Sequence, residues 1–140
     1  MRSGVWLGLM AAVSVAGVAH AASPIEGRWL TPVQNGVIEI APCGEALCGR
    51  VVASDALKTN PGLRDGHNKN PALRDRPVKG LATLAGFTGG PKQWKGGTAY
   101  NPDDGNTYKG SLTLVDSNTL KVTGCVVFPL CKTQTWTRAN

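Results

Sequence analysis

The residues best suited to chemistry lie in the middle of the chain: Asn70, Arg74, Arg76 and Lys79, then Trp94, Tyr100 and Tyr108. Arginine presents a planar fork of N–H donors that matches a carboxylate or a phosphate. Trp and Tyr add apolar area with a hydrogen-bonding tip. Cations at the mouth of a cavity, with aromatics inside it, would suit a small amphipathic anion such as a fatty acid. The same residues have a plainer use. Arg74 and Arg76 can fasten a loop through carboxylates and carbonyls while the aromatics fill a core. The sequence leaves both uses open, and Arg76 next to Pro77 leans to the second.

No other group of residues makes a reaction centre. Beyond the first 21 residues His67 is the sole histidine, set in a polar loop with no serine in a nucleophile elbow. Asp65 to Asn70 resembles a calcium loop, but it lacks the downstream Glu and carries Lys69. Asp103 and Asp104 are adjacent in a turn, so they point apart. The glycine pairs at 89–90 and 96–97 lack phosphate-loop spacing. The expectation is a protein that is not an enzyme, with no cofactor and no metal.

The four cysteines, Cys43, Cys48, Cys125 and Cys131, allow three disulfide pairings. Pairing within each local couple, Cys43–Cys48 and Cys125–Cys131, ties the two sides of a tight connection. Loops this short gain about 2 kcal/mol each. Spacings of C-x4-C and C-x5-C do not suit zinc knuckles. Disulfides imply an oxidising compartment, and the N-terminus agrees. Arg2 precedes an apolar run from Val5 to Val18, and Ala19-His20-Ala21 offers a peptidase site. The run is shorter than the ~20 residues of a membrane-spanning helix. Residues 1–21 therefore read as a cleavable signal peptide and 22–140 as a single domain, periplasmic or secreted, with no transmembrane segment. The net charge of +6 is spread without a dense basic run or interleaved aromatics, so no nucleic-acid partner is expected.

The elements that must position these residues are short strands. Stretches rich in Val, Ile, Thr and Leu alternate with Gly, Pro, Asn and Asp turns. Eight strands are expected: 27–31, 36–41, 47–53, 81–87, 93–100, 107–115, 119–127 and 131–138. Ile38 and Ile40 share one face, as do Leu120, Val122, Gly124 and Val126. Between strands three and four, the long stretch 54–79 has no strand pattern, and Asn70 can cap a short helical turn that starts at Pro71. The fold class is all-β, an eight-stranded antiparallel up-and-down barrel, with the long stretch over one mouth.

Ile25-Glu26-Gly27-Arg28-Trp29 resembles the first strand of lipocalins, whose Gly-x-Trp closes one barrel end beneath an Arg from the last strand. Trp29 and Arg138 are the matching pair. A wider set of residues resembles the bacterial DUF2147 family of small exported, lipocalin-like proteins of undefined function. It comprises Cys43-Gly44, Leu47-Cys48-Gly49, Asn70-Pro71, Leu73-Arg74-x-Arg76-Pro77, Trp94-Lys95-Gly96-Gly97, Tyr100-Asn101-Pro102 and Thr133 to Arg138. The resemblance implies a calycin-type barrel in a bacterial envelope and brings no ligand or reaction. The function expected is a binding protein holding a small apolar or amphipathic, lipid-like ligand. The alternative is an envelope interaction module that uses the 54–79 surface and binds no ligand.

Overall fold

The computed structural model describes residues 23–140 and, of the N-terminal segment, only residues 3–4, 8 and 10–14. The expected signal-peptide cleavage point at Ala21 lies outside the described residues. Eight strands follow: β1 (Gly27–Leu30), β2 (Val37–Cys43), β3 (Ala46–Ala53), β4 (Ala82–Gly89), β5 (Gln93–Asn101), β6 (Asn106–Asp116), β7 (Thr119–Val127) and β8 (Leu130–Arg138). Each pairs antiparallel with the next, and β1 pairs with β8 through Trp29 opposite Arg138, so the sheet closes into a barrel in chain order. Closure removes every free strand edge.

Turn chemistry explains the hairpins. Gly44 takes φ +65° between β2 and β3, where a Cβ would be strained. Asn101 opens the β5–β6 turn by accepting the Asp103 N–H at 3.0 Å. Asp116 does the same for Asn118 at 2.8 Å between β6 and β7. These are Asx turns, in which a short polar side chain replaces a backbone partner. Disulfides Cys43–Cys48 and Cys125–Cys131 staple the β2–β3 and β7–β8 hairpins.

The up-and-down order gives the barrel two unlike ends. The N-terminal turn, the 43–46, 89–93 and 116–119 turns and the C-terminus lie at one end, called here the floor. The 31–36 and 54–81 connections and the 101–106 and 127–130 turns lie at the other, the mouth. The floor is filled. Trp29 is fully buried and its indole N–H donates to the Ile25 carbonyl at 2.8 Å. The Arg138 guanidinium lies 4.0 Å from the Trp29 ring centroid and donates to the carbonyls of Pro24, Glu26 and Ser117. Above them pack Ile40, Phe87, Trp94, Leu112 and Leu120. Gly97 and Gly110 are paired across β5 and β6, and a Cβ on either would come within 3 Å of the Phe87 ring. Two missing side chains thus make room for one aromatic.

Helix α1 (Asp55–Thr59) was not expected. The Ser54 hydroxyl caps it by accepting the Leu57 N–H at 3.1 Å, and Asp55 and Lys58 sit at the ends that favour their charges. Five residues are too few to show helical periodicity. The expected turn at Pro71–Leu73 forms as one turn of 3-10 helix, with the Asn70 side chain accepting from the Ala72 N–H.

Candidate functional site

Side chains fill the floor but not the mouth. A cavity of about 880 Å³ opens there, between the β1–β2 connection, the long connection and the β5–β6 and β7–β8 turns. Its walls are Ile38, Val51, Leu84, Ala99 and Val122, and Trp136 borders it toward the floor. Strand alternation places these residues inside the barrel. The same alternation turns two polar residues inward on β8: counting back from Trp136 by twos gives Gln134 and Lys132, both in the lining. The Trp136 indole N–H donates to the Gln134 side-chain oxygen at 2.9 Å. Lys132, opposite Gly124, sets a cation at the cavity wall. Ser54, Ala56, Leu63, Arg64, His67 and Val78 close part of the opening, so the long connection roofs one side of the cavity.

Asp65 fastens that roof to the barrel. It is buried, at 1% exposure, and three side chains converge on its carboxylate. The Tyr100 hydroxyl donates at 2.5 Å, the Arg76 Nε at 2.8 Å and the Asn68 amide at 2.9 Å. Tyr100 comes from β5, so the bond crosses from connection to barrel. Arg76 also lies over the Tyr100 ring, 5.3 Å from its centroid. Burial by itself would raise the Asp65 pKa, but the hydrogen bonds from Tyr100, Asn68 and Arg76, with the Arg76 charge, outweigh it and hold the group below the ordinary carboxylate range. Tyr100 moves the other way, pushed up by burial and by its bond to the Asp65 carboxylate. Backbone contact completes the junction. Gly105 lies so close to the His67 carbonyl that a Cβ would stand 1.9 Å from its oxygen.

A second cavity, of about 390 Å³, lies between this connection and the β4–β5 wall, lined in part by Asn70, Leu73, Arg76, Ala85, Thr98 and Tyr100. Thr83 borders both cavities. Its hydroxyl is buried and has no hydrogen-bond partner. A buried hydroxyl left unpaired costs free energy, and this one is closed off from both cavities.

The seven residues singled out from the sequence are divided by the fold. Tyr100 and Tyr108 line the large cavity, and Tyr108 donates to Asp104 at 2.6 Å. That bond raises the Tyr108 pKa. Asn70 and Arg76 face the smaller cavity with Tyr100. Arg74 is exposed and donates from Nε to the Asn68 carbonyl at 2.8 Å. Lys79 is exposed and borders neither cavity, and Trp94 is buried in the core near the floor. His67 is exposed at the rim. The sequence reading missed Asp65, Thr83, Lys132 and Gln134. The alternation from Trp136 was a usable signal for the last two. Asp65 and Thr83 carry no local signal, because their roles depend on contacts across the fold. Among the described residues no cluster of three His, Cys, Asp or Glu side chains could hold a metal.

A closed eight-stranded antiparallel barrel with a Trp–Arg floor and a cavity at the opposite end is a lipocalin-like binding fold. The model of DUF2147, uncharacterized proteins conserved in bacteria, matches residues 27–138, and the chain belongs to that family. Its fold is similar to that of protein HP1028 from the human pathogen Helicobacter pylori, described as belonging to the lipocalin family. The two are 25% identical over 82% of each chain, with a TM-score of 0.73. No curated protein matches.

Proposed function

We propose that this chain is an exported binding protein that holds one small amphipathic, lipid-like molecule in its barrel. The observation that carries the reading is the cavity itself, about 880 Å³, within the range of sites that enclose a small molecule. Its wall divides chemically. Ile38, Val51, Leu84 and Val122 offer an apolar body, while Lys132, Gln134 and Tyr108 offer polar groups. An anionic head group would pair with Lys132, and a hydroxyl or carbonyl with the Gln134 amide. Two disulfides suit an oxidising, extracytoplasmic location, and among the described residues no helix is long and apolar enough to cross a membrane.

Native mass spectrometry of protein isolated gently from its own envelope tests this reading. The expected result is a bound mass released by organic solvent and lost or diminished in a Val122→Trp variant, whose indole would intrude on the cavity. A chain that carries no adduct and fails to take up fatty acids or lysolipids in titration would refute it.

A further inference from the structure

Among the described residues of the barrel, the most exposed large apolar side chains are neighbours. Along the β7–β8 turn, Val126 is 71% exposed, Val127 64%, Phe128 88% and Leu130 70%. Soluble chains scatter exposed apolar residues singly, and a contiguous group marks a contact surface. Further features define this tip. The Cys125–Cys131 disulfide joins its two strands at a directly opposed pair, so the tip is held out on a stiff base. Val126, Pro129 and Leu130 also line the cavity, so the tip forms one lip of its mouth. From Thr119 to Asn140 there is no Asp or Glu. Lys109 lies opposite Cys125, which places an outward-facing cation at the base of the tip, while Lys132, opposite Gly124, faces the cavity.

We infer that this tip docks the barrel on an anionic phospholipid bilayer. Phe128 and its apolar neighbours would enter the boundary between head groups and acyl chains, and Lys109, which faces outward on β6, would meet lipid phosphates. Apolar burial and cationic attraction together set the strength of such interfacial binding. Asp103 and Asp104 stand on the neighbouring β5–β6 turn, with Asp104 engaged by the Tyr108 hydroxyl. The β7–β8 hairpin itself carries no carboxylate, so two such hairpins facing each other would bring their lysines together, which favours the bilayer over a second copy of the chain. The position of the tip adds a consequence. A docked tip turns the cavity mouth toward the membrane, so an amphipathic ligand could pass between bilayer and barrel with little exposure to water. The inference concerns the tip, and it stands or falls separately from ligand binding.

Co-sedimentation of the oxidised chain with phosphatidylethanolamine–phosphatidylglycerol vesicles is the test. The chain is expected to sediment with these vesicles and much less with phosphatidylcholine alone. The Val127→Ser, Phe128→Ser double variant should bind about tenfold more weakly. Both side chains are exposed, so the variant should keep the wild-type near-ultraviolet circular dichroism. Val115→Ser alters an exposed apolar residue on β6 near the floor and should leave binding unchanged. In Phe128→Trp, the added indole emission should shift to the blue on adding vesicles. A wild-type chain that stays in the supernatant would overturn the inference, as would a double variant that sediments like wild type. So would a tip-dependent dimer in solution without vesicle binding. Vesicle binding by a chain that carries no ligand would keep the inference and remove the binding-protein reading.

Discussion

At the floor of the barrel, aromatic and aliphatic side chains pack the interior; at the mouth, the same strands enclose about 880 Å³. The floor is held by contacts between residues far apart in sequence, Arg138 with Trp29, Pro24 and Glu26. The mouth is held by a connection folded on itself and pinned by one carboxylate, Asp65. The difference assigns stability to one end and access to the other. A filled floor can carry a hollow mouth because closure satisfies the strand hydrogen bonds at both.

The largest effect should come from breaking the floor. Trp29→Ala removes a fully buried indole, and truncations of this kind cost about 3–5 kcal/mol, a large share of the ~5–15 kcal/mol that typically holds a domain together. Urea unfolding followed by circular dichroism would read it as a much lower midpoint. A loss below ~1 kcal/mol would mean that the floor is not the stabilising end. Arg138→Lys keeps the charge and loses the planar fork, so it should fall between the wild type and Trp29→Ala.

Much of the floor was legible in the sequence, and little of the mouth was. Gly27-x-Trp29 and Arg138 mark the floor because packing there follows strand alternation and a motif with a fixed register. The alternation of Ile38 with Ile40, and of Leu120 with Val122, likewise placed core residues correctly. The long connection follows no such period. Its geometry rests on one tertiary carboxylate, on Gly105 touching the His67 backbone, and on a helix of five residues. Arg76 could be read in two ways because a guanidinium serves a ligand and an internal carboxylate equally well. The nearby acid that decides the matter, Asp65, lies 11 residues away and looks like any loop aspartate. In the structure Arg76 is spent on that carboxylate.

A smaller effect, confined to the mouth, should follow Asp65→Asn. The shape is kept, but the charged hydrogen bonds to Tyr100 and Arg76 are weakened, for about 1–3 kcal/mol. Hydrogen exchange should rise in residues 62–78 and stay slow in β1 and β8; an equal rise at both ends would mean that the two regions unfold as one. The pH dependence has a definite sign. The folded pKa of Asp65 lies below its unfolded value of ~3.9. The unfolded chain therefore binds the proton first, and the contribution is complete above that value and lost as pH falls through the folded one. Thermal unfolding between neutral pH and pH ~3 should show wild type losing stability over this range more steeply than Asp65→Asn.

The smallest change separates stability from binding at a single atom. The Thr83 hydroxyl is buried without a partner where the two cavities approach each other. Thr83→Val keeps the branched shape and removes that atom. The variant should gain about 1 kcal/mol, because an unsatisfied polar group no longer has to be buried; a loss of stability would mean that the hydroxyl serves folding. The ligand found by native mass spectrometry should bind both proteins equally, because the atom is closed off from both cavities and the apolar wall and Lys132 select the ligand. A roughly tenfold fall in affinity, about 1.4 kcal/mol, would instead mean that the wall opens on binding and lets the ligand reach the hydroxyl.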